Sequence, residues 1–406
     1  MAYNQGKMRK IYLDYAATTP LKSPVLKEMT KKFEIFGNPS SVHSLGQEAM
    51  KILDISRETA AKILKTDFRG IIFTGTATEA DNLALRGAVA RFFETNRRDS
   101  MIPPQIIISA GEHEAVRKTA EALSEEGIEV TVLPIYQNGK AKPEDLRKAI
   151  TERTAIVSII HTSNETGSVN EIKAFAEIVR EKREEMRRRI DKDHHYPLLH
   201  TDAVQGFGTS QIDFDTLGAD MITLSAHKIG GPKGIGILAI NKEFTQSTKT
   251  KIIKPIITGG DQESGFRAGT ENIALAAGFV KALEIAGDSR EKKKKHLAEI
   301  KIALWRGIKE IFPEAEINGE LEESSPHILN VCFENRTSES LVTKLDIEGV
   351  MISAGSACKA RSIEVSKVIT AMHNKKRASE SVRFSFGEET TLREIGETLK
   401  ILGSIK

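Results

Sequence analysis

Between residues 70 and 240, short runs of aliphatic and β-branched residues alternate with longer stretches of helical period. Residues 70–74 predict a strand that leads into an Ala/Leu-rich helix reaching about residue 94. Residues 105–109 predict a second strand, followed by a helix over 114–125. Residues 154–161 read as a buried strand with a helix from about residue 171, and strands are expected again at 197–202 and 221–225. This βα alternation predicts an α/β domain around a mostly parallel, seven-stranded-type sheet. Gly259-Gly260 and the segment from Gly265 to Gly269 break the pattern, and a long helical stretch follows from 271 to about 311. Strands at 327–333 and 350–353, with helices at 338–348, 364–372 and 392–401, read as a smaller C-terminal α+β domain. The expected division is a large domain over 21–270 and a small one over 271–406, joined by residues 1–20.

Composition removes several function classes. The 406 residues carry 59 basic and 56 acidic side chains, a net charge of +3 that gives no reason to expect nucleic-acid binding. The basic run at 290–295 falls in a helical stretch and reads as a solvated face. Two cysteines make no disulfide framework and lack metal spacing, which favours a reducing cytosol. The polar N-terminus lacks a signal-peptide core, and no segment reaches about 18 consecutive apolar residues. A cytoplasmic protein without membrane contact is expected. Residues 181–195 read as a charged insert without an apolar stripe, and His194-His195 within it as solvent-exposed. No metal site is expected there, because adjacent side chains point apart.

The chemistry gathers where strands should end. In an open parallel sheet ligands sit beyond the carboxyl ends of strands, and Asp202 and Ser225-Ala226-His227-Lys228 both fall there, 26 residues separating Asp202 from Lys228. A lysine that forms a Schiff base and a carboxylate that keeps a pyridine nitrogen protonated are what pyridoxal 5′-phosphate (PLP) requires; an ordinary Lys–Asp ion pair is the alternative. Upstream, Thr74-Gly75-Thr76 runs into Ala77-Thr78-Glu79 at a strand–helix junction, where free N–H groups and the helix dipole attract a phosphate. Simple N-capping by Thr76, with Glu79 closing a capping box, explains the same residues. His113 and Asn164 follow two further strands; an imidazole there can stack on a flat ring or move protons. Gln205 can serve a cofactor oxygen or merely a turn. No Gly-x-Gly-x-x-Gly follows a first strand, which sets aside a NAD-binding fold.

Of the two thiols, Cys358 lies in a small-residue loop beside Lys359 and Arg361, cations that favour the thiolate. Cys332 lies in an apolar strand, where an inert buried thiol is expected. Arg383 is a candidate bidentate clamp for a carboxylate, with a salt-bridged surface arginine as the alternative.

Taken together, Gly37-Asn38-Pro39-Ser40-Ser41, Asn164-Glu165-Thr166-Gly167, Asp202-Ala203-Val204-Gln205, the Ser-Ala-His-Lys turn, Arg267-Ala268-Gly269-Thr270-Glu271-Asn272 and the Cys358 loop resemble cysteine desulfurases of the nitrogen-fixation/iron–sulfur-cluster type. These are class V members of the fold-type I PLP-dependent enzymes. The resemblance spans nearly the whole chain and implies the following roles. Lys228 is the Schiff-base lysine, Asp202 partners the pyridine nitrogen, Gln205 the phenolic oxygen, and His113 stacks on the ring. Ala77, Thr78, Ser225 and His227 hold the phosphate, with Thr270 reaching in from the partner of a homodimer. Asn164, Arg383 and Asn38 bind the carboxylate of L-cysteine. Cys358 takes the sulfur as a persulfide, alanine leaves, and an acceptor protein collects the sulfur for iron–sulfur cluster assembly or tRNA thiolation. An aminotransferase or selenocysteine lyase of the same class is the nearest alternative. Two departures stand out: Gly75-Thr76-Ala77-Thr78 replaces the usual Ser-Gly-Ala-Thr, and the 181–195 stretch is long.

Overall fold

The structure is a computed structural model and describes residues 10–95, 103–190, 194–245, 251–355 and 365–405. A short strand β1 (Ile11–Tyr12) precedes the seven strands of the main sheet. These are β2 (Ile71–Thr74), β3 (Gln105–Ser109), β4 (Glu129–Leu133), β5 (Thr154–Ser158), β6 (Leu198–Asp202), β7 (Met221–Ser225) and β8 (Gly236–Ile240). Their order is β2-β8-β7-β6-β5-β3-β4, and only β8 runs against the rest. The expected mostly parallel, seven-stranded α/β sheet is what the chain forms.

Every position of β2, β3 and β5 to β8 is buried, because helices cover both faces of the sheet. Successive side chains alternate between those faces. Ile71 and Phe73 join one core with the helices Ser44–Leu64 and Ile172–Arg189, while Ile72 joins the other with Ala77–Thr95 and Glu114–Glu125. The sequence pattern did not single out β4 or β8. β4 is a partly exposed edge strand with a mixed pattern, and β8 is a short apolar run right after a glycine-rich turn.

Beyond the main sheet, β9 (Glu316–Ile317), β10 (Ile328–Cys332) and β12 (Ser381–Ser385) form an antiparallel sheet, and β11 (Val350–Met351) pairs in parallel with β1. Ile11 and Leu13 share a third core with Phe333, Val382, Phe384 and Leu402, so the chain start is built into the C-terminal layer. The helix Ile273–Ile311 ties the layers together. Its first half packs on the main sheet and its second half, from Leu297, on the third core.

The 181–195 stretch corrects its expectation. The helix runs to Arg189 with Ile178, Val179, Arg183 and Met186 buried, so its apolar stripe continues, completed by the arginine stem. The Arg183 guanidinium donates to Pro197 O (2.8 and 3.1 Å), pairs with Asp220 and lies over the Phe244 ring. His194 is not solvent-exposed; it is buried edge-on to Tyr196, with ring centres 5.8 Å apart. The basic run also has an inward member, because Lys293 turns toward Glu388 (3.8 Å). Among the described residues no helix is long and apolar enough to cross a membrane.

Candidate active site

A cavity of about 550 Å3 opens at the carboxyl ends of the parallel strands. Ala77, Thr78, His113, Asn164, Asp202, Gln205, Ser225, His227, Lys228 and Arg383 all line it. Sequence separation is no obstacle, because the ends of β2, β3, β5, β6 and β7 bring these residues to one edge, and Arg383 reaches the same cavity from β12 of the smaller sheet. Asn38 and Thr270 are exposed and lie outside this wall; Asn38 Oδ1 accepts a hydrogen bond from Ser40 N (2.9 Å) within its own loop.

At one end lies the junction of β2 with the helix Ala77–Thr95. Thr76 caps that helix, its Oγ1 accepting from Glu79 N (3.1 Å), while Glu79 Oε2 accepts from Gly75 N (2.9 Å). Capping and an anion site therefore coexist: Thr76 organises the turn, and the helix N-terminus keeps its dipole aimed at the cavity. Glu79 Oε1 also accepts from Arg267 Nε (2.9 Å), fastening the turn to the 267–272 segment. The turn lies flat against β8 because residue 236 is glycine; a Cβ there would stand 2.7 Å from Ala77 N.

Lys228 follows β7, and its ammonium donates to Ala16 O (2.6 Å) and Ala17 O (2.9 Å). Two backbone carbonyls thus aim a flexible side chain. Beside it, His227 shares a hydrogen bond with Thr18 Oγ1 (3.1 Å); burial, then Lys228 and Lys233, push its imidazole down to about 4, so it is neutral near pH 7.

The floor is built from carboxyls. Asp202 ends β6, accepts from Val204 N (3.0 Å) and is pushed upward chiefly by burial. One ligating atom each of Asp202, Asp81 and His113 lie within 4.8 Å of one another. Neither oxygen of Asp81 has a hydrogen-bond partner among the described residues, and burial followed by the Asp202 charge holds this carboxyl well above its usual range. Two carboxyls this close and this buried favour sharing one negative charge. His113 caps the helix Glu114–Glu125 through Nδ1, which accepts from Ala115 N (3.2 Å), so the proton of its neutral ring sits on Nε2. Burial pushes His113 below the ordinary value.

Below this layer Glu112 Oε1 accepts from Ile160 N (2.7 Å) and from the Ser109 hydroxyl, and burial raises the carboxyl to about 8. His200 bonds Ser158 Oγ and Thr223 Oγ1 (2.9 Å each), stands 3.6 Å from Asp81, and is pushed by burial to about 3. Asp81, Glu112 and His200 were not singled out from the sequence. The available signal was spacing: Asp81 lies four residues after Ala77 on one helix, hence on the same face.

Arg383 closes the far side. It is no surface arginine, being 1% exposed. Its Nη2 donates to Asp14 Oδ1 (2.7 Å) and its Nη1 to Asn164 O (2.8 Å), while Nε has no partner among the described residues. Cys358, with Lys359 and Arg361, lies outside the described residues. Cys332 is buried on β10, and burial raises its thiol above the ordinary value, which suits an unreactive group.

The arrangement fits PLP. A helix N-terminus suits a phosphate, a buried carboxylate pair suits a protonated ring nitrogen, and an amine faces both across one cavity.

Comparison with known proteins agrees with this geometry. The chain is 35% identical over 401 residues to a putative cysteine desulfurase IscS 1 of Bacillus subtilis (strain 168), covering 98% of this chain and 99% of the relative. It is 38% identical over 401 residues to a cysteine desulfurase IscS of Dictyoglomus turgidum, covering 98% and 94%. A solved NifS-like protein superposes with a TM-score of 0.85 at 32% identity, covering 98% of this chain and 99% of that one. The family model for class-V aminotransferases matches residues 11–397. The chain therefore belongs to the class-V aminotransferase family, among relatives of the IscS/NifS-like type.

Proposed function

We propose that this protein is a PLP-dependent cysteine desulfurase: L-cysteine and a protein thiol give L-alanine and a protein persulfide. The observation that carries the reading is the meeting of Lys228, Asp202, the Thr76–Thr78 turn and Arg383 in one cavity. Bound PLP supplies an electron sink adjacent to the substrate's α-carbon. Ala77, Thr78, Ser225 and His227 hold its phosphate, Asp202 its ring nitrogen, Gln205 its phenolic oxygen and His113 one ring face.

Arg383 and Asn164 orient the substrate carboxylate. The Asp14 contact fixes the guanidinium at the cavity wall that Arg383 lines. The Lys228 amine, aimed by Ala16 O and Ala17 O, would take the α-proton and later return one. The Cys358 thiolate attacks the substrate sulfur: an S–S bond forms, the C–S bond breaks, and the electron pair left on the substrate is protonated to give alanine. No external oxidant or reductant is needed. Reach supports this role, because Ser353 is hydrogen-bonded to the backbone of Arg383 in both directions (2.7 and 3.2 Å), and five residues span at most ~17 Å.

A homodimer is part of the reading. Phe36 (82% exposed) and Val42 (90% exposed) are large apolar side chains facing solvent beside the exposed Asn38, and Thr270 is exposed outside the lining of its own cavity. A cytoplasmic setting and a protein sulfur acceptor complete the proposal. The test is to reconstitute with PLP, reduce with borohydride and map the modified peptide, then assay alanine from cysteine. Cofactor fixed to Lys228 with alanine release supports the reading. A protein that takes up no PLP, or that forms a 2-oxo acid in place of alanine, refutes it.

A further inference from the structure

Gln205 is held at both ends of its amide. One end faces Ala16 O at 2.9 Å, and a carbonyl oxygen only accepts, so this end is the NH2 group. The other end is therefore the amide oxygen, 3.1 Å from His327 Nε2. An amide oxygen only accepts as well, so His327 carries its proton on Nε2. Its Nδ1 then holds a lone pair and accepts from the Ser325 hydroxyl at 2.6 Å. Each assignment forces the next.

The anchor of this chain is rigid. His327 is buried, and Lys301 Nζ donates to Ser324 Oγ (2.6 Å) and Ser325 O (3.2 Å). Burial, then the positive charges of Lys293, Lys301, Arg383 and Lys228 that face it, push His327 down to about 3. The ring stays neutral at working pH and keeps one tautomer. The primary amide has two hydrogens and spends one on Ala16 O, leaving one N–H for the cavity that Gln205 lines.

We propose that His327 is a positioning residue that locks the Gln205 amide so that one N–H points to the phenolic oxygen of the bound cofactor. The inference rests on the PLP reading above and extends it to a residue that touches neither cofactor nor substrate. His327 leads into β10, which pairs with the Arg383 strand β12. The sheet that grips the substrate carboxylate thus also sets the hydrogen bonding of the cofactor.

A donor at the phenolic oxygen weakens that oxygen's hold on the proton shared with the Lys228 nitrogen, which lowers the pH at which this proton leaves. The test is a pH titration of the visible absorbance of the PLP-loaded full chain. Gln205→Leu and His327→Leu should each raise the midpoint by about one pH unit, the size of one ordinary hydrogen bond. His327→Gln, which restores a donor at the Nε2 position, should stay near the wild-type midpoint. Ser325→Ala, which removes the Nδ1 partner of His327, should shift it slightly upward. The double variant His327→Leu/Gln205→Leu should match Gln205→Leu alone. A wild-type midpoint in His327→Leu beside a raised one in Gln205→Leu overturns this inference alone, as does an additive double variant. An unmoved midpoint in Gln205→Leu overturns the Gln205 contact itself. Failure of the wild-type chain to take up PLP removes the underlying reading too.

Discussion

The rim and the floor of the cavity solve different problems with different materials. At the rim, the Thr76 hydroxyl, Gly75 N, Glu79 and Arg267 satisfy one another, which leaves a helix dipole and the Thr78, Ser225 and His227 side chains lining the cavity. The floor places Asp81, Asp202, Glu112 and His200 together under burial that pushes every one of them toward its neutral form. A phosphate is always charged, so a fixed field suffices for it. A ring nitrogen must be kept protonated, so the groups below it need a controlled proton count.

The contrast can be broken most severely at the amine that both regions face. Lys228→Ala should lower turnover on the order of 10³-fold, while helix content and thermal midpoint stay near wild type. Wild-type turnover in a verified Lys228→Ala sample would remove the lysine from the chemistry.

Asp81 sharpens the account of the floor. Because burial and the Asp202 charge hold this carboxyl well above its usual range, Asp81→Asn should retain PLP within about threefold of wild type, whereas Asp81→Leu, which removes the polar group, should lose about tenfold or more. Equal, large losses in equilibrium dialysis of both variants would mean that Asp81 acts as an anion.

The proton count also appears in stability. The folded value of Glu112, about 8, lies above its ordinary 4.5, so the folded state binds this proton more tightly. Its contribution is complete below about 4.5 and is lost as pH rises through about 8. Glu112→Gln should flatten that decline, by an amount on the order of 1–3 kcal/mol in urea unfolding at alkaline pH. Parallel declines in both proteins would place the proton elsewhere.

The smallest effect belongs to the rim. Thr76→Ala removes one cap and should cost about 1 kcal/mol, with PLP retention nearly unchanged because the dipole remains. A strong loss of PLP there would make the hydroxyl a direct phosphate ligand.

The same contrast explains what the sequence disclosed. Rim elements are local: a strand, a turn and a helix read in one pass through residues 71–95, as do the Ser-Ala-His-Lys turn and its strand. Floor residues reach one another only through sheet order, since Asp81 follows β2, Glu112 follows β3, and His200 and Asp202 lie on β6, strands far apart in sequence that one sheet holds together. Asp81 carries no sequence signal beyond its spacing from Ala77, and Glu112 none beyond its place next to His113. His194 was misread because its surroundings are charged in sequence while Tyr196 covers it in space. β4 escaped because an edge strand has no need of a continuous apolar run.

The central claim is that this cavity delivers sulfur to Cys358, and it is tested most directly by mass spectrometry of the PLP-loaded protein after brief exposure to L-cysteine without reductant. A persulfide is expected on the peptide carrying Cys358, formed as alanine is released, beside an unmodified Cys332 whose thiol is buried on β10. A persulfide on Cys332, or alanine formation that persists in Cys358→Ala, contradicts it.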